Sequence, residues 1–154
     1  ISSIIMTTSV VGVALNEIGV TEFPKNSNKT KYGVWSGLNG VAWCGLFCSW
    51  VYEKAGKPLP KIGFAFNGFA GCQTAVAYFK KNKMITTAPT EGDIVFFDWN
   101  KDGRYDHTGI FVKWIDANTF ETIEGNTAVG NDSNGGTVMK RIRNKNVSIF
   151  VKVI

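Results

Sequence analysis

Hydrophobic and polar positions change their spacing partway along the chain, near residue 93. Upstream, Ile4, Val11, Leu15 and Ile18 fall on one face at helical spacing and predict an amphipathic core helix at the start. TEFPKNSNKTKYGVWSGLNG follows as a polar, Gly- and Asn-rich stretch expected to be loop. AWCGLFCSWVYEKAG predicts a helix over about 43–55, stopped by Gly56 with Pro58 and Pro60 beyond it. GFAFNGFAG reads as a glycine-punctuated loop and CQTAVAYFKKN as a short helix. From Asp93 the pattern becomes β-branched and aromatic in short runs: DIVFFDW, HTGIFVKWID, TFETIEGN, GTVMKRIRN and VSIFVKVI, mostly separated by Asp, Asn or Gly. Helices first and about five strands second predict an α+β fold built on an antiparallel sheet.

A length of 154 residues with 44% apolar and 19% charged residues suits one domain, spanning 1–154, with a core that needs no disulfide staples. Three cysteines cannot all pair within the chain, so at least one thiol is expected to be free. No run of 18 apolar residues is present, which argues against a membrane-spanning helix. The start lacks a basic segment and a small-residue cleavage site, so no signal peptide is expected in it. A net charge of +5 favours anionic partners without choosing among nucleic acid, acidic lipid and an anionic cell wall. The basic residues are scattered, with only KRIRNK clustered and no nucleic-acid motif around it, so a nucleic-acid partner is not expected.

The chain has one histidine, His107, so any chemistry that needs imidazole has a single candidate. Cys44 stands at a predicted helix start, where first-turn amides and the helix dipole favour thiolate over thiol. His107 opens one predicted strand, and Glu124 and Asn126 close the next. If the two strands are hairpin neighbours, either Glu124 or Asn126 can orient one imidazole nitrogen while the other faces Cys44. Equally, a cysteine at this place can be a small buried hydrophobe. Cys48, one helical turn below Cys44, reads as core, and Cys72 is uninformative.

DWNKDGRYDH has a second character. Asp98, Asn100, Asp102 and Asp106 occupy positions 1, 3, 5 and 9 of a calcium-type loop, with Gly103 at position 6 and the Arg104 carbonyl at position 7. Position 12 is Gly109 where a bidentate Glu belongs, and the competing reading is a polar hairpin turn. A structural calcium there would brace the segment that delivers His107.

AWCGLFCSWVYEKAGKPLP, EGDIVFFDW, DHTGIFVKW and IEGNT, in that order, resemble the cysteine, histidine-dependent amidohydrolase/peptidase (CHAP) family of papain-like peptidoglycan hydrolases of bacteria and their phages. The resemblance runs from about residue 10 to 126. It implies a papain-like α+β domain in which Cys44 is the nucleophile, His107 the general base, Glu124 the orienting acid and Asn126 the polar group beside it. It departs from many relatives at Trp43, where they carry Gln as an oxyanion donor. The Cys44 backbone N–H and a group of the preceding loop, Tyr32 among the candidates, are then the expected donors, with a structural role for Tyr32 as the other reading. The implied activity is amide cleavage in peptidoglycan stem or bridge peptides, or between muramic acid and L-alanine, with no cofactor required for the chemistry. The implied setting is the bacterial cell wall, reached by secretion, by phage delivery or on a virion, with the enzyme a monomer. An inactive wall-binding module of the same fold and a thiol protease acting on proteins are the alternatives.

Overall fold

The computed structural model describes residues 9–153. Among the described residues four α-helices come first: α1 (Val10–Leu15), α2 (Lys31–Ser36), α3 (Cys44–Lys54) and α4 (Cys72–Lys81). Six strands follow: β1 (Ile85–Thr86), β2 (Ile94–Phe97), β3 (His107–Trp114), β4 (Thr119–Thr127), β5 (Thr137–Asn144) and β6 (Ser148–Val151). The strands form one sheet in the order β1-β6-β2-β3-β4-β5, with every neighbouring pair antiparallel. The α+β expectation holds, with one more strand than the sequence pattern predicts. The addition is β1, which at two residues is too short to show a period and exists by pairing Ile85 with Val151 at the sheet edge.

Two helical expectations need correction. α1 buries Val10, Val11 and Ala14, whereas Leu15 and Ile18 are over 40% exposed. The helix ends at Asn16, so the apolar frame does not run on to Ile18. Ile4 lies outside the described residues. The stretch expected to be loop contains α2, because Thr30 accepts the Gly33 N–H at 3.1 Å as an N-cap and Gly37, at φ 77°, closes the other end. Six residues between two caps give too short a period to stand out from a polar background.

The central helix α3 is apolar on nearly all sides, burying eight of its eleven residues, because it lies between the other helices and the sheet. It packs against β3 and β4, with α1 and α2 on its other flanks. Alternation along the strands sorts the sheet into two faces. Ile94, Phe96, Ile110, Ile123 and Val151 join the core beneath the helices. Val95, Phe97, Phe111, Phe120 and Phe150 form an aromatic cluster on the other face. At Gly125 helix and sheet come so close that a Cβ would lie 2.6 Å from the Phe47 Cβ and 3.0 Å from Trp43 Cζ3. Glycine is required there, and the contact locks the start of α3 against the end of β4.

Candidate active site

Cys44 is the first residue of α3 and His107 the first of β3, so each stands at the mouth of its element. The first amides of a helix have no partner inside it, and that of Gly45 is directed at the Cys44 sulfur. His107 Nε2 and Glu124 Oε1 are 2.9 Å apart, and both side chains are completely buried. Nε2 therefore carries the proton toward the carboxylate, and Nδ1 remains for another partner. Among the described residues Nδ1 has no hydrogen-bond partner within standard limits, although it is buried. Cys44 is near enough that thiol and ring each displace the other's ionisation.

The directions of those displacements describe a charged pair. The Cys44 thiol is held well below its ordinary value, first by a hydrogen bond from Cys72, against the penalty of burial, and then by the imidazole. Burial works to lower His107, but the Cys44 thiolate and Glu124 outweigh it and raise the ring to about 9. Burial likewise opposes ionisation of Glu124, yet hydrogen bonds from Arg143 and His107 bring it down to about 2. All three shifts run in the direction that favours thiolate, imidazolium and carboxylate together.

Sequence alternation places Glu124 and Asn126 on one face, and the fold separates their roles. A bulge in β4 lies between Glu124, opposite Met139, and Thr127, opposite Thr137. Asn126 occupies it at φ 59°, a left-handed conformation that asparagine tolerates. Its Oδ1 accepts the Gly136 N–H at 3.0 Å, and its Nδ2 donates to Asn134 Oδ1 at 3.4 Å. Asn126 thus braces the turn after β4, and of the two only Glu124 bonds to the imidazole.

Tyr32 and Trp43 are both buried and stack at 5.5 Å between ring centroids. The Tyr32 hydroxyl donates to Glu17 Oε1 at 2.7 Å, and burial followed by that carboxylate pushes its pKa far above the usual phenol range. The Trp43 indole N–H donates to Glu22 Oε1 at 3.1 Å. Both polar hydrogens expected as oxyanion or substrate donors are therefore committed to carboxylates, and the two rings serve as packing behind the nucleophile. Cys48 is wholly buried, and burial together with the Cys44 charge raises its thiol well above the ordinary value, in keeping with a core residue.

In the acidic loop, Asp98 accepts the Asp102 and Gly103 N–H groups at 3.2 and 2.8 Å. Asp102 accepts the Arg104 N–H at 2.9 Å and the Asn100 amide at 3.2 Å, and Asp106 accepts the Trp99 N–H at 3.3 Å. Those carboxylates serve their own turn. Among the described residues no group of three or more His, Cys, Asp or Glu side chains is assembled to hold a metal. As placed, the loop carboxylates are directed at the backbone of their own turn.

Two participants escaped sequence reasoning. Cys72, the first residue of α4, brings its sulfur to 4.0 Å from that of Cys44. Arg143, on β5, donates from Nε to Glu124 Oε2 at 2.8 Å and from Nη2 to Oε1 at 2.6 Å. The position of Cys72 at a predicted helix start, like Cys44, was the one local signal for it. Arg143 lay hidden in a basic cluster that any solvated strand can carry.

The sequence pattern of the CHAP domain matches residues 36–126, more than half of the chain. No curated protein matches the chain significantly.

Proposed function

Because the chain belongs to the CHAP domain family, we propose that it is a peptidoglycan hydrolase that cleaves an amide of stem or bridge peptides through Cys44, His107 and Glu124. The observation that carries this reading is the placement of Cys44 at the start of α3 beside His107, whose Nε2 lies 2.9 Å from Glu124 Oε1, an arrangement that favours thiolate and imidazolium together. Thiolate is the nucleophilic form of cysteine, and imidazolium is the acid that the leaving amine needs.

The Cys44 sulfur attacks the amide carbonyl carbon, and the tetrahedral oxyanion is held by first-turn amides of α3, which face no acceptor in their own helix. Imidazolium gives its Nδ1 proton to the departing nitrogen as the C–N bond breaks, leaving a thioester on Cys44. The now neutral ring takes a proton from water, hydroxide adds to the thioester, and the carboxylic acid product leaves as thiolate and imidazolium re-form. Glu124 keeps Nε2 protonated throughout, which fixes the tautomer and leaves Nδ1 as the working nitrogen. Asn126 acts one step away by holding the end of β4 in place. A cationic domain of this kind would work at the anionic wall as a single subunit.

Digestion of purified peptidoglycan followed by mass spectrometry tests the reading, because each candidate bond leaves different termini. New termini at a stem peptide, a bridge peptide or the muramyl amide are the expected result. Intact wall beside a cleared denatured-protein substrate would assign a thiol protease, and neither cleared would assign an inactive wall-binding module.

A further inference from the structure

The Glu124 carboxylate is fully engaged. Oε1 meets His107 Nε2 at 2.9 Å and Arg143 Nη2 at 2.6 Å, while Oε2 accepts Arg143 Nε at 2.8 Å and the Thr122 hydroxyl at 2.6 Å. Two cations therefore share one buried anion, a permanent guanidinium and a ring that gains and loses its charge. The guanidinium is itself fixed from three sides. Its Nη1 donates to Asp132 Oδ1 at 2.8 Å, and its carbon lies 5.2 Å from the Trp99 ring centre and 5.5 Å from that of Phe97. Those same two rings stack on His107 at 5.6 and 6.0 Å, each within 24° of parallel. One aromatic pair thus holds both the imidazole and the cation that governs its partner.

The geometry points to Arg143 as a positioning residue: it keeps Glu124 ionised and aimed at His107 Nε2, and so determines at what pH the Cys44 thiolate forms. The inference rests on reading Cys44 and His107 as the reactive pair. A carboxylate as buried as Glu124 is driven toward its neutral form unless a charge and hydrogen bonds hold it, and a neutral Glu124 would no longer support imidazolium. Lysine cannot replace the interaction in full, because the planar fork supplies two parallel bonds to Glu124 and a third to Asp132.

Alkylation of Cys44 by iodoacetamide, followed from pH 4 to 9 with the labelled peptide identified by mass spectrometry, reads thiolate formation without any wall substrate. Arg143→Met is expected to move the acid limb of that profile up by about one pH unit, the scale of a carboxylate losing an arginine partner. Arg143→Lys should shift it less, and on a soluble peptide substrate both variants should lower kcat more than they raise KM. Arg143→Gln, which keeps a planar donor, serves if the methionine variant does not fold. An acid limb that stays in place or moves down in a folded variant, whatever happens to lysis, would overturn the proposal. A shifted limb in a protein that cuts no wall peptide would leave the positioning role standing and remove the hydrolase reading instead.

Discussion

Gly109 lies two residues after His107 on β3, and its missing side chain is where Glu124 enters. A Cβ at Gly109 would sit 2.5 Å from Glu124 Cγ, 3.4 Å from Cδ and 3.3 Å from the Ile123 carbonyl oxygen. Carbon–carbon contacts are relaxed at about 3.5 Å or more, so Gly109→Ala asks the Glu124 stem to retreat by about 1 Å. The stem has no slack, because its carboxylate is tied to Arg143 and Thr122 at 2.6–2.8 Å. The longest tie is the 2.9 Å bond to His107, which a retreat of that size would open beyond hydrogen-bonding range.

Overpacking of this kind costs about 1–3 kcal/mol of stability, and a misplacement of about 1 Å in catalytic geometry can cost about a hundredfold in rate. We therefore expect Gly109→Ala to lose about two orders of magnitude in turbidity clearing of purified walls, while circular dichroism still shows a folded protein at assay temperature. In the Glu124→Ala background there is no Cγ to strike. There the same glycine change should cost far less stability, a non-additivity of about 1–3 kcal/mol in a double-mutant cycle of urea midpoints. Wild-type clearing by Gly109→Ala, or strictly additive stabilities, would refute the claim that this glycine makes room for the orienting acid.

Cys44→Ala should reduce lysis by at least about a thousandfold with an unchanged circular dichroism spectrum, whereas Cys48→Ala should keep lysis within about tenfold, since it only trims the core. Equal losses from the two would point to packing. Cys72→Ala should move the alkylation midpoint of Cys44 to higher pH, because the Cys72 thiol, 4.0 Å from the Cys44 sulfur, can donate a hydrogen bond that favours the thiolate; an unmoved midpoint would dismiss that bond. The pH dependence of stability carries a definite sign through Glu124, whose pKa falls from 4.5 to about 2 on folding. A depressed carboxylate stabilises the fold fully above its unfolded value and loses that contribution as pH falls toward the folded one. About 3 kcal/mol should thus disappear between pH 5 and 2 in urea titrations. Glu124→Gln should flatten that limb, and parallel curves would contradict the assignment.

Cys44, His107 and the helix and strand starts that carry them were legible because local signals coincide there: a glycine-rich approach, a helical run, and one histidine ahead of an alternating strand. The choice between Glu124 and Asn126 was not legible, because it depends on a bulge that appears only in the pairing of β4 with β5. Strict period-two reading puts both side chains on one face, and the positive φ of Asn126 breaks that period. The position of Tyr32 before the nucleophile suggests an oxyanion donor, but its partner Glu17 comes from the segment after α1, a pairing that spacing does not reveal. Arg143 is beyond any local window, since the register of β5 sets it opposite Phe120 and only its long side chain reaches along the sheet face to Glu124.

These placements also account for how so many charges tolerate burial. From Cys44 outward the groups run Cys44 thiolate, His107 imidazolium, Glu124 carboxylate, Arg143 guanidinium, Asp132 carboxylate and Arg141 guanidinium, with Arg141 Nη2 donating to Asp132 at 2.8 Å. Each ion taken alone would cost several kcal/mol to remove from water. In alternation, each ion from His107 outward to Asp132 has opposite charge on both sides, and the series is neutral as a whole. It starts at the buried Cys44 and ends at the Arg141–Asp132 pair, whose carboxylate is about half exposed, so water can relax around that last pair. Proton movement between Cys44 and His107 changes charge only at the inner end, so the outer four groups need not reorganise during the reaction. A rigid, neutral backing of this kind lets the nucleophile be ionised in a dry site without collapsing the carboxylate behind it, and it requires two strands that are separate in sequence to be held in one register.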